Sequence, residues 1–88
     1  MKVIVVFKDG TEVTVQETLT NLWRVSLAEI LKNLAANNTA LKTQGLSGAT
    51  RVLQVQKRVL GVWWKTIPAG TIFGTTPIPH EIRVTVDL

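Results

Sequence analysis

Apolar and polar positions alternate along the first part of the chain, around the short turn Lys8-Asp9-Gly10. Asp followed by Gly favours a three-residue hairpin turn that is closed by a residue at positive φ. This turn predicts the pairs Val5 with Val13 and Val3 with Val15. It gathers one apolar set on a single face of the hairpin: Val3, Val5, Phe7, Val13 and Val15.

A two-residue turn is the alternative for the same hairpin, and it would place Ile4 and Val6 opposite Val13 and Val15. We prefer the three-residue turn because it collects the larger apolar set on one face. Ile4 and Val6 then lie on the second face. Since the first strand is apolar on both sides, we expect it to be a central strand or a strand covered on its back.

The segment SLAEILKNLAANN, residues 26–38, has the spacing of an amphipathic helix. Its predicted buried stripe consists of Leu27, Ile30, Leu31, Leu34 and Ala35. Ser26 and Glu29 are spaced as a capping box. Thr20 is an alternative N-cap, which would begin the helix earlier and add Leu22 and Trp23. The helix is expected to end at the paired asparagines, and residues 38–50 are predicted to be a loop.

Three more strands are predicted after this loop. RVLQVQKRV (51–59) alternates Leu53, Val55 and Val59 with Gln54, Gln56 and Arg58, and VWWKTI (62–67) returns after a turn at Leu60-Gly61. Pro68-Ala69-Gly70 is typical of a tight turn. EIRVTVDL (81–88) alternates again, with Ile82, Val84, Val86 and Leu88 expected to face inward.

The resulting order is ββαβββ, which predicts an α+β domain over residues 1–88 with a single helix packed on a mixed sheet of four to five strands. A hairpin, a helix across it and a final regular strand give an order that resembles the ubiquitin-like β-grasp. The chain ends Val86-Asp87-Leu88 without a terminal diglycine, so we expect no role as a conjugated modifier. Another α+β sandwich is the structural alternative.

Composition narrows the class of protein. Eighty-eight residues with 45% hydrophobic content suffice for one domain with a core. The chain has no cysteine, which excludes a disulfide or thiolate zinc site and is compatible with a reducing compartment. The N-terminus does not resemble a signal peptide, and no apolar run approaches the ~18 residues of a membrane span. We therefore expect a soluble, cytoplasmic protein with no membrane partner.

Positive charge is concentrated in the middle of the chain. The net charge is +4, but between Glu29 and Glu81 there are six bases and no acid, a local net charge of +6. The bases are Lys32, Lys42, Arg51, Lys57, Arg58 and Lys65. This distribution favours an acidic partner.

Candidate catalytic residues are few. His80 is the single histidine and has no second histidine to orient it, so we interpret it as a loop residue before a strand rather than a general base or ligand. Gly45 and Gly48 fit neither a Walker A nor a dinucleotide motif. The scattered acids show no metal-ligand spacing. We expect neither an enzyme nor a cofactor nor a metal site.

The basic hairpin at residues 51–67 carries the candidate binding site: Lys57, Arg58, Trp63 and Lys65. An acidic protein is the expected partner, because an exposed tryptophan beside a cation is a frequent interface anchor. A single-stranded nucleic-acid module is the alternative, in which bases stack on the ring and cations meet phosphates. A structural or accessory protein of a virus or mobile element is a second alternative, and an edge strand could pair two chains.

Side chains of Trp63 and Trp64 must point to opposite faces of a strand. Because Lys65 shares a face with Trp63 and a lysine is rarely buried, we assign Trp64 to the core side and Trp63 to the back, beside Ile4 and Val6. Ile67 favours the reverse. The plain interpretation is that one tryptophan fills the core and the other covers the back of the sheet.

Overall fold

The computed structural model describes residues 1–17, 24–74 and 78–88. Its elements in chain order are β1 (Lys2–Val6), β2 (Glu12–Gln16), β3 (Val25–Ser26), α1 (Leu27–Asn37), α2 (Thr39–Thr43), β4 (Val52–Val59), β5 (Trp63–Ile67), β6 (Ile72–Phe73) and β7 (Glu81–Val86). A mixed five-stranded sheet and two short helices define an α+β class within these residues. The alternative N-cap Thr20, with Leu22 and Trp23, lies outside the described residues.

The main sheet has the strand order β2-β1-β7-β4-β5. Strands β1 and β7 are parallel, and the other neighbours are antiparallel. The sheet thus consists of two hairpins, β1–β2 and β4–β5, with β7 inserted between them. Strands β3 and β6 form a separate two-stranded sheet. No helix in the described part of the chain is long and apolar enough to cross a membrane.

The first hairpin has the predicted register, with Val3 opposite Val15 and Val5 opposite Val13. Gly10 closes its turn at φ 87°, and the Gly10 N–H donates to the Phe7 carbonyl oxygen at 3.0 Å. Strand β1 is central, as its apolar character on both sides predicts.

Helix α1 buries the predicted stripe: Leu27, Ile30, Leu31, Leu34 and Ala35. Ser26 is its N-cap, and the Ser26 hydroxyl oxygen accepts from the Glu29 N–H at 3.2 Å. This bond satisfies one of the backbone donors that a helix N-terminus leaves unpaired. The cap and the stripe together fix where α1 begins and which side packs on the sheet.

The segment predicted to be a loop, residues 38–50, contains the second helix, α2. The Asn38 side chain accepts from the Leu41 N–H at 3.1 Å and caps it. Leu41 and Leu46 are both buried, so the segment contributes to the core. The prediction of a single helix is therefore wrong. Helix α2 is too short to show a helical period in the sequence, and it is stabilised by the burial of its side chains in the core.

The two faces of the main sheet differ in composition. The core face, against which α1 packs, carries Val3, Val5, Val55, Ile82, Val84 and Val86. The other side, here called the polar face, carries Ile4, Val6, Gln54, Gln56, Arg58, Trp64, Thr66, Glu81, Arg83 and Thr85. Ile4 and Val6 are half-buried there.

Two apolar side chains depart from the predicted alternation of their strands. Leu53 lies at a register shift between Val52 and Gln54 and is 50% exposed. A bulge adds one residue to a strand and turns a side chain out of its alternating position. Leu88 follows the end of β7 and is 40% exposed. The apolar–polar alternation in the sequence thus continues beyond the last residue of the strand that packs in the core.

Candidate functional site

The second hairpin ends in an exposed apolar turn. Leu60 is 81% exposed, Val62 is 66% exposed and Trp63 is 56% exposed. The Val62 N–H closes the turn on the Val59 carbonyl oxygen at 3.0 Å. These three apolar side chains are therefore exposed to solvent together at the end of the β4–β5 hairpin.

Leu60 adopts an unusual backbone conformation, with φ 53°, and Gly61 follows at φ 66°. Two successive positive φ angles are typical of a type I′ turn, which favours Asn-Gly because a β-carbon is strained there. A leucine at this position costs backbone energy and gains no burial. Such an outlier is consistent with a role in contacts outside the fold.

The structure distributes the predicted site residues over both faces of the hairpin. Lys57 lies directly opposite Lys65, and Val59 lies opposite Trp63. These pairs share the core face, because Lys57 also aligns with Ile82 on β7. Arg58, by contrast, projects from the polar face. Three predicted residues are therefore together, and the fourth is on the other side.

Lys57 and Lys65 form a cross-strand pair of like charges, which is destabilising when nothing neutralises it. Lys65 is exposed and Lys57 is half-buried. The ion pairs among residues 1–17, 24–74 and 78–88 join other groups: Lys2 and Arg58 with Glu81, and Lys8 and Arg51 with Asp87. The lysine pair thus provides two positive charges beside the exposed Trp63 ring.

On the polar face, Trp64 is enclosed by two guanidinium groups. The Cζ atoms of Arg58 and Arg83 each lie 4.4 Å from the centre of the Trp64 ring. Arg58 donates through Nε to Glu81 Oε2 at 3.3 Å, and Arg83 donates through Nε and Nη2 to Gln56 Oε1 at 2.9 and 2.7 Å. Cation–π contacts of this kind contribute about 0.5–1 kcal/mol at exposed sites. Arg58 therefore has a structural role within the sheet.

The assignment of the tryptophans to faces is wrong. Trp64 lies on the polar face, and Trp63 lies on the side of the core face, three strands away from Ile4 and Val6. The prediction assumed that Lys65 could not face the core side. It does so without burial, because the hairpin extends past the covered part of the sheet.

Burial along β4 demonstrates this extension. Val55 is 1% exposed, whereas Lys57 and Val59 on the same face are only half-buried. Ile67 pairs with Val55 and packs against the core cluster. The faces of β5 are therefore predicted correctly from Ile67 and wrongly from Lys65.

Sequence reasoning missed Leu60, Val62 and Arg83 as part of this region. The available signal was the dipeptide Leu60-Gly61, which occupies a turn where a polar residue is usual. Arg83 gave no signal, because its contact with Trp64 spans two strand spacings and depends on the long-range insertion of β7.

The other residues considered as candidates, His80 and Gly45, have contacts or conformations that belong to the fold itself. His80 is exposed and its carbonyl oxygen accepts from the Lys2 N–H at 2.9 Å. Gly45 follows α2 at φ 89°, the left-handed position that often ends a helix. Within the described ranges, no three His, Cys, Asp or Glu residues are grouped to hold a metal ion.

No protein-family model matches the chain, and no curated protein or solved structure matches it.

Proposed function

We propose that this protein is a non-enzymatic binding module that recognises an acidic protein through the end of its second hairpin. The observation that carries the proposal is the cross-strand pair Lys57–Lys65 beside the exposed Trp63. Carboxylates of a partner would relieve the repulsion within this pair. The complex would thus gain electrostatic energy that the free protein lacks.

The apolar turn supplies the second component of such an interface. Leu60, Val62 and Trp63 are exposed together, and interface energy is concentrated in anchors of this kind, tryptophan above all. The lysines would form the charged rim around them. Apolar anchors with a cationic rim favour a partner that presents an apolar patch bordered by acidic side chains.

We also propose that the fold is β-grasp-like. Parallel central strands, a hairpin on each side and one main helix across a single face support this proposal. Such a scaffold holds the β4–β5 hairpin at one margin of the sheet, where its end is accessible to a partner.

The test is binding of a fluorescein-labelled, glutamate-rich peptide containing leucine and phenylalanine, measured by anisotropy. The double variant K57E/K65E should lose tenfold or more in affinity, and W63A should lose about as much. The matched control is K32E/K42E, which makes the same change of net charge at exposed positions on α1 and α2. Equal losses in the two double variants would mean that only net charge matters, and the proposal would fail.

A single-stranded nucleic acid is the second candidate partner, because the exposed Trp63 ring beside two lysines also suits base stacking with phosphate contacts. An oligothymidylate of twelve nucleotides distinguishes the two. Tighter binding of the oligonucleotide than of the peptide, with affinity that falls steeply between 50 and 200 mM salt, would replace the acidic protein as the proposed partner.

A further inference from the structure

Strand β5 forms one margin of the main sheet. It pairs with β4 on one side, and among the described residues no strand pairs with its other side. A strand in this position presents backbone N–H and C=O groups that can receive another extended chain. The lysine pair and Trp63 belong to this same hairpin, so the edge and the charged surface are continuous.

Side chains on β5 alternate between the two faces of the sheet. Trp63, Lys65 and Ile67 share the core-face side, and Trp64 and Thr66 share the polar face. Lys57 on β4 and Lys65 on β5 are cross-strand neighbours and form a row perpendicular to the strands, which ends at the outer edge of β5. A strand added there would place one of its own side chains next in that row. An acidic side chain at that position would make an opposite-charge cross-strand pair with Lys65.

Resting on the proposed function, we infer that the acidic partner binds as an extended strand added to the outer edge of β5. A carboxylate of this strand lies beside Lys65 and continues the Lys57–Lys65 row. An apolar side chain two positions away, on the same face, packs on Trp63. Backbone hydrogen bonds supply affinity, and the charged row sets which face of the strand carries its acids.

A second copy of the chain fits this edge poorly. Lys65 is the middle residue of β5, so two-fold antiparallel pairing over the full length of two β5 strands would bring Lys65 against its own counterpart. The row would then hold four lysines, two from each copy, with like charges adjacent throughout. An acidic strand removes the repulsion that a second copy would double.

The experiment uses a ten-residue peptide that alternates glutamate with threonine and carries one leucine among the glutamates. Two further versions carry N-methyl groups on alternate residues, either on the acidic positions or on the threonines. An added strand directs only every second backbone N–H toward the edge it joins. One methylated version should therefore lose tenfold or more in affinity, while the other should bind within about threefold of the parent peptide.

Amide hydrogen exchange in the complex supplies a second readout. Peptide binding should slow exchange within β5, residues 63–67, and leave β2 unchanged. Strand β2 is the matched control, because it is the opposite margin of the same sheet. Protection at β2, equal effects of the two methylation patterns, or a dimer through β5 in analytical ultracentrifugation would each overturn the inference.

The two proposals fail in different ways. If K57E/K65E binds the unmethylated peptide as tightly as the parent protein does, the proposed function is wrong. If that variant loses affinity but both methylated peptides still bind like the parent peptide, the acidic partner stands. In that case its docking by strand addition is wrong, and the contacts are made by side chains alone.

Discussion

Leu60 combines two features that a residue selected for stability alone would not have. Its side chain is 81% exposed, and its backbone is held at φ 53°. The left-handed region costs an L-residue with a β-carbon roughly 1–2 kcal/mol. Asparagine tolerates this region better than leucine. The turn therefore retains a less stable residue at the end of the surface proposed to bind.

Replacing Leu60 with Asn should stabilise the fold, by about 0.5–1 kcal/mol, because Asn-Gly is the preferred type I′ pair. The same change should weaken binding of the acidic peptide, since the exposed leucine is lost. Urea denaturation and anisotropy measure the two effects on one sample. If L60N binds as tightly as the parent protein, Leu60 does not contribute to the interface.

Gly10 presents the converse case, a glycine at φ 87° with no atom within 4 Å of the position of an added β-carbon. Gly10→Ala should destabilise the protein by about 1 kcal/mol through backbone strain, because nothing collides with the methyl group. Thermal unfolding measures it. An unchanged melting temperature would contradict the turn geometry. Gly70→Ala is the matched control, because Gly70 has equal space and its φ lies outside the left-handed region.

At the scale of elements, the sequence pattern was sufficient to predict which side chains are buried when that depended only on residues within the same hairpin or helix. The first hairpin and the stripe of α1 were predictable, because turn chemistry and a 3.6-residue period are properties of adjacent residues. The faces of Trp63 and Trp64 were not. They depend on how far the β4–β5 hairpin extends past the region that α1 covers, which no alternation within β5 encodes.

Other features required contacts between distant segments. Helix α2 forms because Leu41 and Leu46 reach the core. Asn38, where α1 ends as predicted, is also the N-cap of α2. The cluster around Trp64 depends on Arg83 of β7. For the candidate site, the composition of the hairpin was predictable, and so was the separation of Arg58 from Lys57 by strand alternation. The register that places Lys57 opposite Lys65 was not.

The packing of α1 is tested by Leu34→Ala. Leu34 is fully buried, so the change should cost about 2–5 kcal/mol in unfolding free energy, through lost burial and the cavity that remains. Lys32→Ala, on the exposed side of the same helix, should change stability by less than about 0.5 kcal/mol. Chemical denaturation measures both. Similar midpoints for the two variants would contradict the orientation of α1.

At the scale of the whole molecule, Asp87 joins distant parts of the chain. Its carboxylate pairs with Lys8 from the first hairpin turn and lies 4.0 Å from Arg51, just before β4. The Lys8 N–H also donates to the Leu88 carbonyl oxygen at 3.0 Å. The hydrogen bond from the Lys8 ammonium holds the pKa of Asp87 below its ordinary value of 3.8, and the charge of Arg51 adds to this effect.

A pKa lowered by folding means that ionised Asp87 stabilises the native state above pH 3.8, and that this contribution is lost as the pH falls through the native pKa. Asp87→Asn should therefore lower the melting temperature at pH 7. The difference from the parent protein should shrink as the pH falls below 3.8, and it should level off once the pH is below the lowered native pKa, where the carboxyl is protonated in both states. A difference that stayed constant from pH 7 to pH 2 would show that ionisation of Asp87 is not its source.

The insertion of β7 between β1 and β4 also constrains the order of events during folding. Each outer hairpin can form from neighbouring residues on its own, but nothing in the main sheet joins them until the strand synthesised last among these elements has entered. Pairing β1 with β7 closes a loop that contains most of the chain, and the entropic cost of this closure slows folding. During synthesis, β1 and β4 would each present an open edge until residues 81–86 left the ribosome, and the protein would be most prone to mispairing in that interval.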